Sequence, residues 1–188
     1  MMDVRHLGLP GLQVLKPRRF ADSRGYFVET YNERTLAAVG ITARFVQDNQ
    51  SYSKSPGTVR GLHFQLPPAD QAKLVRVVQG SVYDVAVDLR VGSPSYGRWE
   101  GMTLTADQGE QLLIPRGFAH GFCTLGADTV LAYKVDAFYA SESDSGLIWN
   151  DPALAIGWPV RPDEAVLSDK DLKLGRFADF NSPFRYEG

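Results

Sequence analysis

The sequence predicts an all-β protein, a sandwich or barrel of the jelly-roll type with a few short helices. Three observations carry that expectation. Glycine and proline punctuate the chain densely, with 18 and 11 of them in 188 residues. The segments between these breakers are mostly strand-length and rich in β-branched residues. Finally, the run from Val82 to Leu89 has a period of two: Tyr83, Val85, Val87 and Leu89 share one face, and Val82, Asp84, Ala86 and Asp88 the other. Many short strands separated by turn residues fit packed antiparallel sheets.

Taken in chain order, strands are expected at 24–30, 44–53 and 59–65, then at 97–105, 111–114, 121–124 and 130–135. Between these, Val75 to Gln79 runs through Gly80-Ser81 into the alternating segment, which reads as a β-hairpin. Helical signals are few. Asn32 to Val39 offers an asparagine cap, helix formers and a terminal Gly40. Asp151-Pro152 suits a single turn with proline at its first position. No repeat, low-complexity tract or linker divides residues 1–188, so one domain is expected.

Composition narrows the function classes. The chain is 44% hydrophobic and 22% charged, enough apolar material for a core and too much for disorder. Twenty basic and 22 acidic residues give a net charge of −2, so no nucleic-acid partner is expected. An anionic ligand must then be held by local placement of Arg and Lys. The single cysteine, Cys123, cannot form an internal disulfide, which favours a reducing compartment. No run approaches the roughly 20 apolar residues of a membrane span, and Met1 to Pro10 lacks the apolar stretch of a signal peptide. A cytoplasmic protein with no membrane partner is the expectation.

Two motifs carry chemistry. Gly109 to His120 has the form G-x5-P-x-G-x-x-H and resembles the second signature of the cupin superfamily, small jelly-roll barrels with interior sites. Its Pro and Gly make a tight turn from which the next strand aims His120 inward. Two readings of His120 stay open: a strand-end histidine satisfied by a backbone carbonyl, and a ligand contact. Upstream, Gly57 to Gln65 resembles the first signature, G-x5-H-x-H, with Gln65 in place of the second histidine. Neutral Gln65, with only Asp70 as a nearby acid, removes the stronger transition-metal donors, so no metal is expected.

Collinear blocks extend the likeness. They are Arg24-Gly25-Tyr26-Phe27-Val28-Glu29, Phe45-Val46-Gln47-Asp48-Asn49, Arg60 to Gln65, Lys73-Leu74-Val75-Arg76, Asp84 to Asp88, Ile114 to Phe122, Tyr133-Lys134 and Trp149-Asn150-Asp151. Together, from about Phe20 to Asp171, the chain resembles the dTDP-4-dehydrorhamnose 3,5-epimerase family. That resemblance implies a cupin-like fold, no cofactor, and inversion at C3 and C5 of a dTDP-linked 4-keto-6-deoxyhexose. A C4 ketone acidifies both neighbouring C–H bonds, so the reaction needs a base on one face, a donor for the enolate oxygen and an acid on the other face.

The resemblance also implies roles. His63 is the base and Tyr133 the acid, with an ordinary phenol pKa of about 10 that keeps it protonated. Asp171 pairs with the histidine, although Ser168-x-x-Asp171 also reads as a helix capping box and Asp169 is the adjacent alternative. Lys73 lies near the keto oxygen. Arg24 and Arg60 bind the diphosphate, as guanidinium forks suit phosphate. Glu29, Gln47, Asn49, His120, Asp144 and Lys170 fall at binding positions, and Tyr139 at one where a ring stacks on thymine; Phe138 stands where a tyrosine is common. Arg60 and His63 have opposite parity on a regular strand, which a bulge at Gly61 or a reach around the rim would reconcile. Family members are dimers with crossed-over N-terminal strands, which would give Arg24 and Glu29 to the neighbouring site. Three other functions remain open at this point: a single-centre epimerase using the same residues, a metal-dependent cupin oxygenase or isomerase, and a non-catalytic sugar-nucleotide-binding barrel.

Overall fold

The architecture is that of a computed structural model and is described for residues 2–188. In chain order the elements are β1 (Asp3–His6), β2 (Gln13–Lys16), β3 (Arg19–Asp22), β4 (Gly25–Val28), α1 (Glu33–Ala37), β5 (Gln47–Ser53), β6 (Val59–Gln65), β7 (Lys73–Gln79), β8 (Ser81–Asp88), β9 (Trp99–Thr105), β10 (Gln111–Ile114), β11 (Phe118–Thr124), β12 (Thr129–Val135) and β13 (Asp144–Gly146). Two short 3-10 helices follow, Asp171–Lys173 and Phe177–Asp179. One sheet has the order β1-β2-β10-β7-β12-β5 and the other β13-β6-β11-β8-β9, while β3 and β4 form a separate ribbon. The strand pairings in all three are antiparallel. No helix among the described residues is long and apolar enough to cross a membrane.

Alternation explains the layers. Val14, Val75, Val77, Leu112, Ile114 and Leu131 of the first sheet meet Val82, Ala86, Leu104, Phe118 and Phe122 of the second, and all are buried. Each of these side chains larger than alanine contributes about 1.5–3 kcal/mol when removed from water. The opposite face of β8 is buried as well. Its Val85 and Val87, with Leu62, Phe64 and Ala119, lie under Leu147, Leu154 and Phe184 of the C-terminal segment. Helix α1 covers the outer face of the first sheet, packing Leu36 with Leu15, Ile41, Leu74 and Leu113. Its start is the asparagine cap: the Asn32 side chain accepts from the backbone N–H of Arg34 and Thr35. Asp151 caps its single turn in the same way, accepting from Ala153 and Leu154.

The hairpin expected across Gly80 does not form. β7 pairs with β10 and β12, whereas β8 pairs with β11 and β9. Gly80 instead carries the chain from one sheet to the other, at φ +80° and with Thr129 Oγ1 2.6 Å from where a Cβ would stand. Burial decides this. Val75 and Val77 are apolar on the face that must be covered, and Val82 and Ala86 are the residues that cover it. A hairpin would set all four side by side in one sheet; a corner sets them against each other. Smaller differences follow the same logic. The strand expected at 24–30 is shortened to Gly25–Val28 and pairs with β3, which sequence alone did not suggest. The strand expected at 44–53 begins only at Gln47, while that at 121–124 starts earlier, at Phe118.

Candidate active site

A cavity of about 330 Å³ opens between the sheets, lined by Ser51, Arg60, His63, Lys73, His120, Phe122, Tyr133, Ser168, Lys170 and Asp171. The second sheet contributes Arg60 and His63 from β6, and His120 and Phe122 from β11. The first sheet contributes Ser51, Lys73 and Tyr133 from β5, β7 and β12. The C-terminal segment closes one side with Ser168, Lys170 and Asp171. Imidazole and phenol therefore reach one cavity from opposing sheets.

The parity conflict between Arg60 and His63 is resolved by a bulge. His120 stands opposite His63 and Phe122 opposite Arg60, so three steps along β6 match two along β11. Gly61 permits it: its φ is +118°, and a Cβ there would meet Gly121 Cα and His120 O at 2.7 Å. Arg60 is then held at the cavity by Nη2 donating to Tyr52 O at 3.0 Å and Nε donating to Ser53 Oγ at 3.3 Å.

His63 Nε2 lies 2.6 Å from Asp171 Oδ1. A carboxylate accepts and cannot donate, so this contact assigns the ring proton to Nε2 and leaves Nδ1 as the basic nitrogen. Asp171 is buried, and its backbone N–H donates to Ser168 Oγ at 3.1 Å. One residue thus completes the dyad and half of the capping box: serine takes the backbone, histidine the carboxylate. Asp169 is exposed and takes no part. Burial lowers the His63 pKa from its ordinary value; Asp171 opposes this by charge and hydrogen bond, and the Lys73 and Lys170 ammonium groups add to the lowering. Removing Asp171's charge should therefore lower the His63 pKa further. An NMR titration of the His63 ring in Asp171→Asn, compared with the unaltered protein, checks this; an unchanged or raised pKa contradicts it.

Lys73 sits on an interior strand. β7 lies between β10 and β12, the residue is 7% exposed, and Nζ donates to His63 O at 3.3 Å. Burial brings its pKa down to about 8, partly countered by Asp84 and Asp144. Tyr133 is pushed above the ordinary phenol value by burial, with Arg60 opposing and Asp144 assisting, so the phenol keeps its proton. His120 is not satisfied by a backbone carbonyl. Its Nε2 lies 3.0 Å from both carboxylate oxygens of Asp84, which is 0% exposed.

Other expected residues lie around or apart from this cavity. Lys170 reaches Asp144, whose Oδ2 also accepts from Tyr139 OH at 3.1 Å, a chain leading from the cavity wall to the exposed Tyr139. Gln47 Nε2 donates to Asn49 Oδ1 at 2.9 Å on β5. Asn49 borders an adjoining cavity that shares Tyr133. Arg24 and Glu29 are not brought to the site within one chain. The Arg24 side chain is 87% exposed and paired with Asp22, and Glu29 contacts Thr35. Asp70 faces Arg116 at 3.4 Å, away from His63. Gln65 is committed to backbone groups, and among the described residues no group of three or more His, Cys, Asp or Glu is placed to hold a metal.

Four further lining or supporting residues had been given no role in the cavity: Ser51, Phe122, Ser168 and Asp84. Two carried a signal. Ser51 continues the alternation of Gln47 and Asn49, and Asp84 is an acid on the core-facing side of β8, where only a paired carboxylate is tolerated.

Comparisons with known proteins add likenesses of sequence and fold. Residues 6–179 match the family model described as dTDP-4-dehydrorhamnose 3,5-epimerase. A dTDP-4-dehydrorhamnose 3,5-epimerase of Sinorhizobium fredii is 48% identical over 185 residues, covering 98% of this chain and 94% of its own. The crystal structure of a Bacillus anthracis dTDP-4-dehydrorhamnose 3,5-epimerase with TDP and PPi bound aligns with TM-score 0.91 and 51% identity, over 94% of this chain and 99% of that one. The Legionella pneumophila 3,5-epimerase in complex with dTDP-4-keto-L-rhamnose aligns with TM-score 0.93 and 40% identity, over 100% of both chains.

Proposed function

This chain belongs to the dTDP-4-dehydrorhamnose 3,5-epimerase family, and on that premise we propose that it inverts C3 and C5 of dTDP-4-dehydro-6-deoxy-D-glucose to give dTDP-4-dehydro-L-rhamnose. The observation that carries the proposal is the cavity with the His63–Asp171 couple on one sheet's side and Tyr133 on the other's. His63 Nδ1 takes the proton beside the C4 ketone. The C–H electron pair moves into the C3–C4 or C4–C5 bond, and the carbonyl pair moves onto O4. The Lys73 ammonium stabilises the enolate oxygen. Tyr133 delivers a proton from the opposite face, and both groups return to their starting states by exchange with water.

The diphosphate is assigned to Arg60 from within the chain. Arg24 and Glu29 are assigned to the site of a second copy, in a homodimer with exchanged N-terminal strands. Their exposed ribbon supports this, since Phe20, Tyr26 and Phe27 are all more than half exposed on it. Gln47, Asn49, Tyr139, Asp144 and Lys170 are assigned to the nucleotide, and His120 to the sugar. A cytoplasmic location goes with a single, buried cysteine and a nucleotide-linked substrate.

The test is isotopic. Incubation with dTDP-4-keto-6-deoxyglucose in D2O should place deuterium at both C3 and C5. Deuterium at one carbon only would make the protein a single-centre epimerase, and none at either would reject the assignment. Tyr133→Phe should lower turnover by about 10²-fold, as loss of a positioned acid does, while proton removal by His63 continues. Deuterium washing into recovered, uninverted substrate is the expected mark; full inversion by this variant would remove the phenol from the mechanism.

A further inference from the structure

Residues 137–140 form a loop whose backbone is tied by side-chain amides, with no strand ladder to hold it. Gln71 Nε2 donates to Ala137 O at 2.8 Å and Gln47 Oε1 accepts from Tyr139 N at 3.0 Å. Gln65 holds the residues on either side of Tyr139. Its Nε2 donates to Phe138 O at 3.2 Å, and its Oε1 accepts from Ala140 N at 2.8 Å. The same Nε2 donates to Ala69 O at 2.6 Å, which ties in the loop after β6. Gln65 is 4% exposed, yet the loop it holds turns two rings outward, Phe138 at 68% and Tyr139 at 57% exposure.

A solvent-facing loop with no buried side chain to anchor it is ordinarily mobile. Fixing the backbone beneath exposed rings has no use for the core. It does remove, before binding, the conformational freedom that a ring-stacking ligand would otherwise have to freeze out. Gln65 also lies two residues from His63 on β6, so it joins the loop to the strand bearing the base.

We infer that Gln65, standing where the first barrel signature has its second histidine, is a positioning residue that pre-organises the 137–140 loop and its Tyr139 ring to receive the nucleobase of a pyrimidine nucleoside diphosphate. The inference rests on the functional reading above. It assigns Gln65 to binding, acting through Tyr139, and gives it no part in proton transfer.

Gln65→Met preserves volume and removes the three hydrogen bonds; Gln65→Glu keeps the acceptor and loses the donor. Each should weaken dTDP binding, measured calorimetrically, by about tenfold and raise KM equally, as loss of pre-organisation does. Turnover at saturating substrate should stay within about threefold. Tyr139→Ala alone should weaken dTDP binding by about tenfold, within the range for a lost stacking ring. In that background Gln65→Met should add less than about twofold, because the two act as a unit. Independently of any variant, the Tyr139 and Ala140 amides of the ligand-free protein should be protected from hydrogen exchange. Wild-type dTDP affinity in Gln65→Met, additive losses in the double variant, a fall in kcat with KM unchanged, or unprotected loop amides would each overturn the inference. Wild-type protein that fails to bind dTDP overturns the functional reading itself.

Discussion

His63→Asn is expected to lower deuterium incorporation at both C3 and C5 together by roughly 10³-fold, within the range of about 10²–10⁴ that a positioned general base supplies. A single base serving both carbons requires the two centres to fail together. Nε2 is committed to Asp171 at 2.6 Å, which leaves Nδ1 as the basic nitrogen of this cavity-lining ring. The other cavity imidazole, His120, is turned to the buried carboxylate of Asp84. If His120 served one carbon, His63→Asn would silence the other alone. Exchange surviving at a single position is thus the result that contradicts a common base. Thermal unfolding controls for structure: the asparagine leaves the buried Asp171 carboxylate short of a donor, and a loss of about 1–3 kcal/mol is expected on that account. A folded variant with undiminished exchange would remove histidine from the chemistry.

How far such a site is legible beforehand depends on which signals are local. The strands at 59–65 and 111–114 have the bounds expected of them, because turn-forming residues sit on either side: Gly57 and Pro67 for one, Gly109 and Pro115 for the other. β1 is largely exposed and shows no alternation to read, and β13 is three residues long. Gly80 is more instructive. A hairpin and a corner between two sheets need the same local chemistry, a left-handed glycine between β-branched runs. Only the non-local partners of Val75 and Val82 distinguish them.

The cavity follows the same division. His63 and Asp171 are 108 residues apart, and no spacing rule joins them; likeness to a family did. The capping box at Ser168 was readable and is half made, yet it left the direction of the Asp171 carboxylate undetermined. Asp84 is visible as an acid on an apolar face, a signal of some buried partner, but only the fold identifies that partner as His120. Arg24 and Glu29 ride on a ribbon outside the two main sheets. No physical argument confined to one chain brings them to its own cavity.

Lys73→Met is expected to lower kcat by about 10²–10³-fold, the loss associated with one donor to a developing oxyanion, and to erase one limb of the pH profile. Two groups govern that profile in the free enzyme, which is what kcat/KM reports. His63 acts as a base and must be neutral. Its pKa lies below the ordinary 6.5, so activity rises with pH through a region below 6.5. Lys73 acts as a cation and must be protonated; with a pKa brought to about 8, activity falls as pH rises through 8. The optimum therefore lies between 6.5 and 8. Tyr133 does not supply the alkaline limb, since burial moves its phenol above its ordinary 10.0, away from the region of 8. Lys73→Arg separates charge from titration: guanidinium stays protonated past pH 12, so whatever activity it retains should show no fall near 8. An alkaline limb that persists unmoved in Lys73→Arg would mean that another group sets it and that the enolate oxygen is held without the ammonium.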